Sequence, residues 1–176
     1  MAVSLEEVRL EPVRVADADR LARFMVDNRS FFAPFDPPRP EEFFTVDGQR
    51  RELEAVVAAA AVGSRQRFVI LFHDELVGWL TVSNIVRGPF QSANMGYAVG
   101  HEHNGRGIGT RAVGMAVDWA FSDARLHRLE AGTLLDNRAS QRVLEKNGFE
   151  PIGIARNYLY INDAWRDHLL FQRIAG

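Results

Sequence analysis

Hydrophobic and polar positions divide the first third of the chain into a strand, two helices and an irregular segment. Apolar and charged residues alternate over residues 8–15, which predicts a β-strand. Asp17 is then the candidate N-cap of a helix with apolar residues at positions 21, 24 and 25. A second helix is predicted over residues 49–62, with Gly63 as its C-cap. Residues 31–44 hold four of the seven prolines and five of the twelve phenylalanines, so they cannot continue a helix.

The middle of the chain has the pattern of an antiparallel meander. Residues 67–72 and 76–84 are rich in residues that favour strands, and three turn residues separate the two runs. A third run of this kind covers residues 92–99. We therefore expect three consecutive strands joined by short connections.

The last part of the chain alternates helices and strands. Residues 108–121 carry apolar side chains at helical intervals, and a strand is predicted over residues 128–135. Residues 139–147 form a short helix, after which residues 152–161 and 165–174 pair as a hairpin. This order of elements predicts an α/β or α+β fold around one mixed sheet.

Composition indicates an ordinary soluble globular protein and removes several classes of function. The 176 residues are 47% hydrophobic and 25% charged, so we expect one domain over residues 1–176. The formal net charge of −2 gives no basic field for a dedicated nucleic-acid binder. The chain has no cysteine, which excludes disulfides, thiolate metal sites and a covalent acyl-cysteine intermediate. Residues 1–9 lack the apolar run of a signal peptide and no stretch reaches membrane-spanning length, so a cytoplasmic protein without membrane contact is expected.

The segment GYAVGHEHNGRGIGTRAVGMAVDWA runs from a predicted strand through a glycine-rich loop into a helix. Gly105, Gly107 and Gly109 let the backbone curl with its N–H groups pointing inward, and the helix N-terminus adds partial positive charge. Tight packing would explain a single glycine at such a turn. Three alternating glycines beside Arg106 instead favour a phosphate-binding loop.

A dinucleotide-binding loop is one interpretation of these glycines. Residues 107–112 fit the pattern G-x-G-x-x-A, and Glu130 follows at a distance suited to a ribose ligand. However, a dinucleotide turn follows its strand at once, whereas seven residues separate Val99 from Gly107. This spacing makes the dinucleotide interpretation the weaker one.

The sequence NGRGIG at residues 104–109 resembles the pyrophosphate loop of the GNAT acetyltransferases, in which Arg or Gln usually stands at the first position. The sequences NRAS at residues 137–140 and LEKNGF at residues 144–149 resemble the second signature of that superfamily. On these motifs the chain is identified as a member of the GNAT superfamily.

Further motifs resemble one branch of the superfamily, the bacterial ribosomal-protein alanine N-acetyltransferases. They are NRSF at residues 28–31, SNIVRG at 83–88, YLYI at 158–161 and WRDH at 165–168. The resemblance extends over about residues 8–173. It implies a GNAT fold, in which a twisted, mixed and mostly antiparallel sheet is flanked by helices and split where acetyl-CoA inserts.

The resemblance also implies direct acetyl transfer from acetyl-CoA to an amine in a ternary complex. Because the pyrophosphate is held mainly by backbone N–H groups, asparagine at the first position of the loop changes little. The residues implied to bind acetyl-CoA are Val99, Asn104, Gly105, Arg106, Gly107, Ile108, Gly109, Thr110, Asn137 and Ser140.

Catalytic roles follow from the same resemblance. A backbone N–H of Val99 or Gly100 is implied to bind the carbonyl oxygen that becomes negatively charged. Ser140 is implied to hydrogen-bond the departing sulfur, although serine there also suits a helix cap. Glu102 is a candidate proton acceptor through water, with a solvated loop carboxylate as the alternative. Asn94 replaces a glutamate of many relatives, but a protein α-amine with a pKa of about 8 does not require a strong base.

Other candidate residues have structural explanations. Leu144 occupies the position at which other branches place an acidic tyrosine. His101 and His103 have the wrong spacing for a helical zinc motif, so no metal is expected. An ion pair with Arg128 explains Glu130 at least as well as a catalytic role does.

The acceptor residues are drawn from the proline-rich segment and from the branch motifs. The phenylalanines and carboxylates of that segment either wall an acceptor pocket, in which the carboxylates attract a cationic amine, or form a lid over the sheet. Arg87 is equally suited to a surface ion pair. The candidate acceptor-binding residues are Phe31, Phe35, Asn84, Arg87, Tyr158 and Asp167.

The acceptor implied by the branch is the N-terminal alanine of a ribosomal protein, without direct contact to nucleic acid. A monomer or a homodimer is expected. The alternative acceptor is a small amine, such as a polyamine or an aminoglycoside. A CoA-binding module without turnover is the alternative from another class of function.

Overall fold

One sheet forms the centre of the computed structural model, which describes residues 5–176. Residues 1–4, the start of the segment expected to lack a signal peptide, lie outside the described residues. The strands of the sheet are β1 Val8–Pro12, β2 Gln66–Phe72, β3 Glu75–Val86, β4 Ser92–Val99, β5 Arg128–Leu134, β6 Glu150–Ile161 and β7 Ala164–Ile174. The sheet order is β1-β2-β3-β4-β5-β7-β6, and every neighbouring pair except β4 with β5 is antiparallel. The mixed, mostly antiparallel sheet implied by the sequence is therefore confirmed.

Helices cover both faces of the sheet. On one face, Leu21 and Leu53 of two helices pack against Val69 and Leu71 of β2. On the other face, the helix that follows the glycine loop packs against Phe68 and its neighbours. The helices are α1 Ala18–Asp27, α2 Arg29–Phe32, α3 Val46–Ala61, α4 Ile108–Asp118 and α5 Arg138–Lys146.

Strand β2 is apolar on both sides because it lies between these two layers. Val69 and Leu71 contact the α1–α3 layer, whereas Phe68, Ile70 and Phe72 belong to the α4 layer. Each such side chain contributes roughly 1.5–3 kcal/mol when it is fully buried. An unbroken apolar run, without alternation, is the pattern expected of a strand covered on both faces.

Local hydrogen bonds explain why two of the predicted boundaries differ from the structure. Strand β1 ends at Pro12, because the backbone N–H of Arg14 donates to the carboxylate of Asp17 at 2.8 Å and turns the chain. Asp17 is the N-cap residue of α1 as predicted, but its side chain bonds no α1 backbone N–H. Helix α3 begins at Val46, three residues before the predicted start, because the hydroxyl of Thr45 accepts the N–H of Gly48 at 3.0 Å.

The connections predicted from turn residues are confirmed. Asn162 and Asp163 join β6 to β7 with φ angles of 52° and 58°. Two consecutive left-handed residues form the tight turn that suits a two-residue hairpin. The meander of β2, β3 and β4 is also antiparallel as predicted.

Candidate active site

The sheet splits where β4 parts from β5. These two strands pair at residues 92–94 and 128–130, and β4 then continues to Val99 without a β5 partner in the part of the chain that the structure describes. A cavity of about 380 Å³, here called the cleft, opens at this point. Most residues implied to bind acetyl-CoA line the cleft, namely Val99, Asn104, Gly105, Gly107, Gly109, Thr110, Asn137 and Ser140.

The glycine loop forms one end of the cleft. Gly105 and Gly107 adopt φ angles of 74° and 85°, which glycine reaches without steric cost. Gly107 is the N-cap of α4, so the first N–H groups of this helix have no partner within the helix. Unpaired N–H groups and the helix dipole make this end of the cleft suited to an anion.

Three loop residues depart from a simple cradle. The side-chain oxygen of Asn104 accepts the N–H of Gly105 at 2.9 Å, so one donor of the loop is already engaged. The side chain of Ile108 is fully buried in the hydrophobic core, which leaves its backbone for any contact with a ligand. Arg106 is exposed and does not line the cleft.

Backbone hydrogen bonding distinguishes the two candidate donors at the end of β4. The N–H of Gly100 donates to the carbonyl of Val77 at 2.8 Å, so it is engaged with β3. Val99 lies opposite Gly78, one position from this hydrogen-bonded pair. Because hydrogen-bond direction alternates along antiparallel strands, the N–H of Val99 points away from β3 and toward the split. The same alternation directs the N–H of Tyr97 toward the split.

Helix α5 supplies the opposite wall of the cleft. The side-chain oxygen of Asn137 accepts the N–H of Ser140 at 3.1 Å, so Asn137 caps this helix. The hydroxyl of Ser140 is therefore not the cap. It lies 2.8 Å from the hydroxyl of Tyr97, on the facing strand.

Sequence reasoning missed Tyr97. Burial raises the pKa of its phenol to about 12, against the opposing effect of the hydrogen bond with Ser140. The phenol therefore stays protonated at neutral pH. A signal was present in the sequence, because Tyr97 stands two residues before Val99 on a predicted strand and side chains two apart share one face.

Charge in the cleft favours an anion at one end and a cation at the other. Arg142 and Lys146 of α5 line it together with the helix N-terminus. Asp36, from the proline-rich segment, also lines it, and burial raises the pKa of this carboxyl while the charge of Arg39 opposes the shift. Sequence reasoning placed Asp36 only among the general acidic residues of the segment.

A second cavity, of about 500 Å³, lies on the other side of the β4 end. Glu102 lines this cavity and not the cleft, because the turn His101–His103 directs it away from the split. Three further carboxylates line it as well, against two arginines. Its charge suits a diphosphate less well than the glycine loop does. The carboxylates beside Glu102 are Asp27, Asp74 and Glu75.

A third cavity, of about 270 Å³, adjoins the cleft through the two residues that line both, Phe32 and Asp36. The proline-rich segment forms one side of this acceptor-side groove, and the β6–β7 turn at Asn162 and Asp163 forms the other. Phe31 and Phe35 line the cleft itself. The segment therefore borders both the cleft and the groove.

The other candidate acceptor residues lie outside these cavities. The guanidinium of Arg87 donates to the carbonyl of Ala124 at 2.6 Å, and Asn84 donates to the side chain of Asn94 at 3.1 Å. Both contacts are near the start of β4, away from its Val99 end. Their assignment to the acceptor stays a prediction.

Tyr158 and Asp167 belong to an irregular part of the β6–β7 hairpin. Between the register pairs of Ala155 and Leu159, three residues of β6 face one residue of β7. The carboxylate of Asp167 accepts the N–H of Asn157 at 2.9 Å and holds this bulge. Tyr158, which is half exposed, follows Asn157 in the bulge and lies 5.2 Å from the ring of His168. An acceptor role for either residue stays a prediction.

The remaining candidates have structural partners. Arg128 donates to Glu130 at 2.7 Å, which is the ion pair that the sequence offered as the simpler explanation. The ring of His101 packs on Phe31 at 4.9 Å. Within residues 5–176, no group of three or more metal-ligating side chains is arranged to hold a metal ion. No helix in that range is long and apolar enough to cross a membrane.

Comparisons with known proteins agree with this geometry. Residues 7–150 match the model of the family described as "Acetyltransferase (GNAT) domain". The "Probable N-acetyltransferase YjcK" of Bacillus subtilis (strain 168) is 39% identical over 163 residues, which are 92% of this chain and 90% of the relative. The solved structure of the ribosomal-protein-S5-alanine acetyltransferase from Vibrio fischeri is 34% identical, with a TM-score of 0.93 over 99% of this chain and 96% of that one.

A further similar structure contains a form of coenzyme A. It is Mycobacterium smegmatis RimJ in complex with CoA-disulfide, which is 34% identical with a TM-score of 0.92. The match covers 96% of this chain and 82% of that chain. The similarity thus extends over nearly the whole fold, including the split sheet.

Proposed function

Because the chain belongs to the GNAT family of acetyltransferases, we propose that it transfers the acetyl group of acetyl-CoA to the N-terminal α-amine of a protein. The leading acceptor is a ribosomal protein that begins with alanine. The observation that carries the proposal is the cleft at the split between β4 and β5, with the glycine loop at one end and the half-buried carboxylate of Asp36 near the other. A single acetyltransferase domain over residues 1–176 and a cytoplasmic location form part of the proposal.

The cleft has the groups that the donor substrate requires. The N–H groups from Arg106 to Thr110, at the N-terminus of α4, would hold the diphosphate, with Arg142 and Lys146 adding positive charge. The main-chain N–H of Tyr97 faces the split and can pair with an amide of the pantetheine arm, which leaves the N–H of Val99 for the thioester. No cysteine is present in the chain, so transfer by a cysteine-bound acetyl group is excluded.

Chemistry at the split requires a donor for the carbonyl oxygen and an acceptor for the amine proton. The N–H of Val99 is the donor, because its direction toward the split lets it stabilise negative charge as the amine attacks. The carboxylate of Asp36 is the proton acceptor, since it lines both the cleft and the acceptor-side groove. Its raised pKa makes it a stronger base than an exposed aspartate.

The acceptor-side groove suits a protein N-terminus. It is bordered by Phe32, Phe44 and prolines, which suit a short apolar side chain on the first residue of the acceptor. Asp36, which also lines the groove, attracts the protonated amine of that residue. An α-amine has a pKa of about 8, so a useful fraction is already neutral at cellular pH. The name of the Vibrio fischeri protein, which specifies an alanine of ribosomal protein S5, supports this class of acceptor.

Thiol release from acetyl-CoA tests the proposal. The purified chain is incubated with a peptide that begins with alanine, with the same peptide acetylated beforehand, and with spermidine. We expect release with the free α-amine alone. Release with spermidine but not with the peptide would assign a small-amine acceptor, and tight CoA binding without any release would indicate a binding module.

A further inference from the structure

Tyr97 and Ser140 form a hydroxyl pair across the split. Their oxygens are 2.8 Å apart, and the Tyr97 oxygen also lies 3.2 Å from the backbone carbonyl oxygen of Ser140. Tyr97 is on β4 and Ser140 is in the first turn of α5, so the pair joins the two walls of the cleft. Both side chains line the cleft.

The distance allows either hydroxyl of this pair to donate, and we take Tyr97 to be the donor. Burial raises the pKa of its phenol to about 12, so the phenol carries its proton throughout the physiological range. The Ser140 carbonyl is the poorer acceptor, because it is farther away and α-helical bonding provides it with the N–H four residues along α5. The Tyr97 proton therefore points to the Ser140 hydroxyl oxygen.

A hydroxyl that accepts from one side still has its own proton to donate. With its oxygen occupied by Tyr97, Ser140 directs that proton away from β4, and the open direction is the interior of the cleft. Without Tyr97, the hydroxyl would rotate among the acceptors near the start of α5.

We propose that Tyr97 is a positioning residue that aims the Ser140 hydroxyl at the sulfur leaving acetyl-CoA; this inference rests on the proposed function. As the amine nitrogen bonds to the acetyl carbon, the carbon–sulfur bond breaks and its electron pair passes to sulfur. The Ser140 O–H then donates a hydrogen bond to the sulfur anion. Neither hydroxyl gives up its proton, and the proton that the amine loses is the one taken by Asp36.

The acidity of the thiol in bound CoA tests this role without acetyl transfer. The ultraviolet absorbance of the thiolate is followed against pH for CoA complexes of wild type, Tyr97→Phe, Ser140→Ala and the double variant. The charged and titratable groups that line the cleft, Asp36, His103, Arg142 and Lys146, are common to all four proteins. Differences between the complexes therefore report the hydroxyl pair.

We expect wild type to raise the acid-dissociation constant of the bound thiol above that of free CoA. Tyr97→Phe and Ser140→Ala should each lower it about tenfold, the effect of losing one hydrogen bond to a charged group. The double variant should match Ser140→Ala, because both changes remove one chain of hydrogen bonds. Tyr160→Phe, at an exposed tyrosine outside the cleft, is the matched control and should equal wild type.

Kinetics separate this role from a structural one. Tyr97→Phe should lower kcat about tenfold while KM for acetyl-CoA stays unchanged. Loss of the hydrogen bond lowers the melting temperature in either case, but a merely structural Tyr97 would leave the acid-dissociation constant of the bound thiol as in wild type. That outcome, or additive effects in the double variant, would overturn the inference.

The inference and the proposed function fail in different ways. If the acid-dissociation constant of the bound thiol responds as expected but the protein acetylates no amine, the proposed function is wrong and the role of Tyr97 stands. If acetyl transfer is normal but Tyr97→Phe leaves the acid-dissociation constant of the bound thiol unchanged, only the inference about Tyr97 is wrong. Failure to bind CoA would overturn both.

Discussion

The side-chain oxygen of Asn28 accepts a hydrogen bond of 2.8 Å from the backbone N–H of His101. Its side-chain nitrogen donates to the carbonyl of Phe24 at 3.0 Å. Asn28 thus joins the end of α1, where the proline-rich segment begins, to the turn that follows β4. This side chain therefore couples the position of the proline-rich segment to the end of β4.

Asn28→Ala should weaken this coupling. Losing the hydrogen bond costs about 1 kcal/mol, so we expect KM for the acceptor peptide to rise about fivefold. Steady-state kinetics with varied peptide measure the effect. Asn28→Asp keeps an acceptor for the N–H of His101, so its KM should stay closer to that of wild type. Equal KM values for all three proteins would show that this contact does not position the proline-rich segment.

Gly109→Trp should block the cleft without disturbing the fold. A Cβ atom at Gly109 would lie 3.6 Å from a methyl group of Val99 and 3.9 Å from one of Val143, which are ordinary contacts directed into the cleft. The indole would then fill the space between β4 and α5. Calorimetric titration with CoA should show no binding, while the melting temperature stays near that of wild type.

Asp118→Trp, exposed at the far end of the same helix, is the matched control and should bind CoA normally. Gly107 is less suitable for this experiment. Its φ angle of 85° strains any side chain, and a Cβ there would face Leu5 at 3.4 Å. If Gly109→Trp binds CoA with wild-type affinity, acetyl-CoA does not bind in the cleft.

Asp36→Asn should stabilise the protein and slow it. The pKa of the Asp36 carboxyl is raised by burial above its unfolded value of about 3.9, so the folded state binds the proton more tightly than the unfolded state does. The contribution of this group to stability is therefore present below pH of about 4 and is lost as pH rises through the folded pKa. At neutral pH the charged carboxylate is destabilising.

Thermal unfolding of Asp36→Asn should accordingly show a higher melting temperature than wild type at pH 7, with the difference shrinking toward pH 4. We expect kcat to fall about a hundredfold, the lower end of general-base effects, because the α-amine is partly neutral already. If kcat and the melting temperature of Asp36→Asn at pH 7 both equal those of wild type, Asp36 is not the proton acceptor.

Elements whose signals are local could be predicted from the sequence. The bounds of β4 agree with the predicted run of residues 92–99, and Asn162 with Asp163 forms the predicted turn. The glycines of the loop predicted a helix N-terminus, because left-handed backbone favours glycine and α4 begins directly after Gly107. Each of these features depends on neighbouring residues alone.

Contacts between distant parts of the chain could not be predicted. Tyr97 meets Ser140 across 43 positions, and only the fold brings them together. Asp36 gains its raised pKa from burial by the surrounding segment. Glu102 stands beside the loop in sequence, but the short turn after β4 directs it into the other cavity, and the sequence carries no signal for that direction.

The central claim is that acetyl-CoA binds at the split between β4 and β5. Titration of isotope-labelled protein with CoA tests it through the backbone amide resonances. The account predicts that the largest shifts in resonance arise at Tyr97, at Val99 and at residues 105–110. In Gly109→Trp, CoA should cause no shifts at these positions. Unchanged resonances at these positions, together with shifts at Arg20, Arg23 and Glu102 around the second cavity, would contradict it.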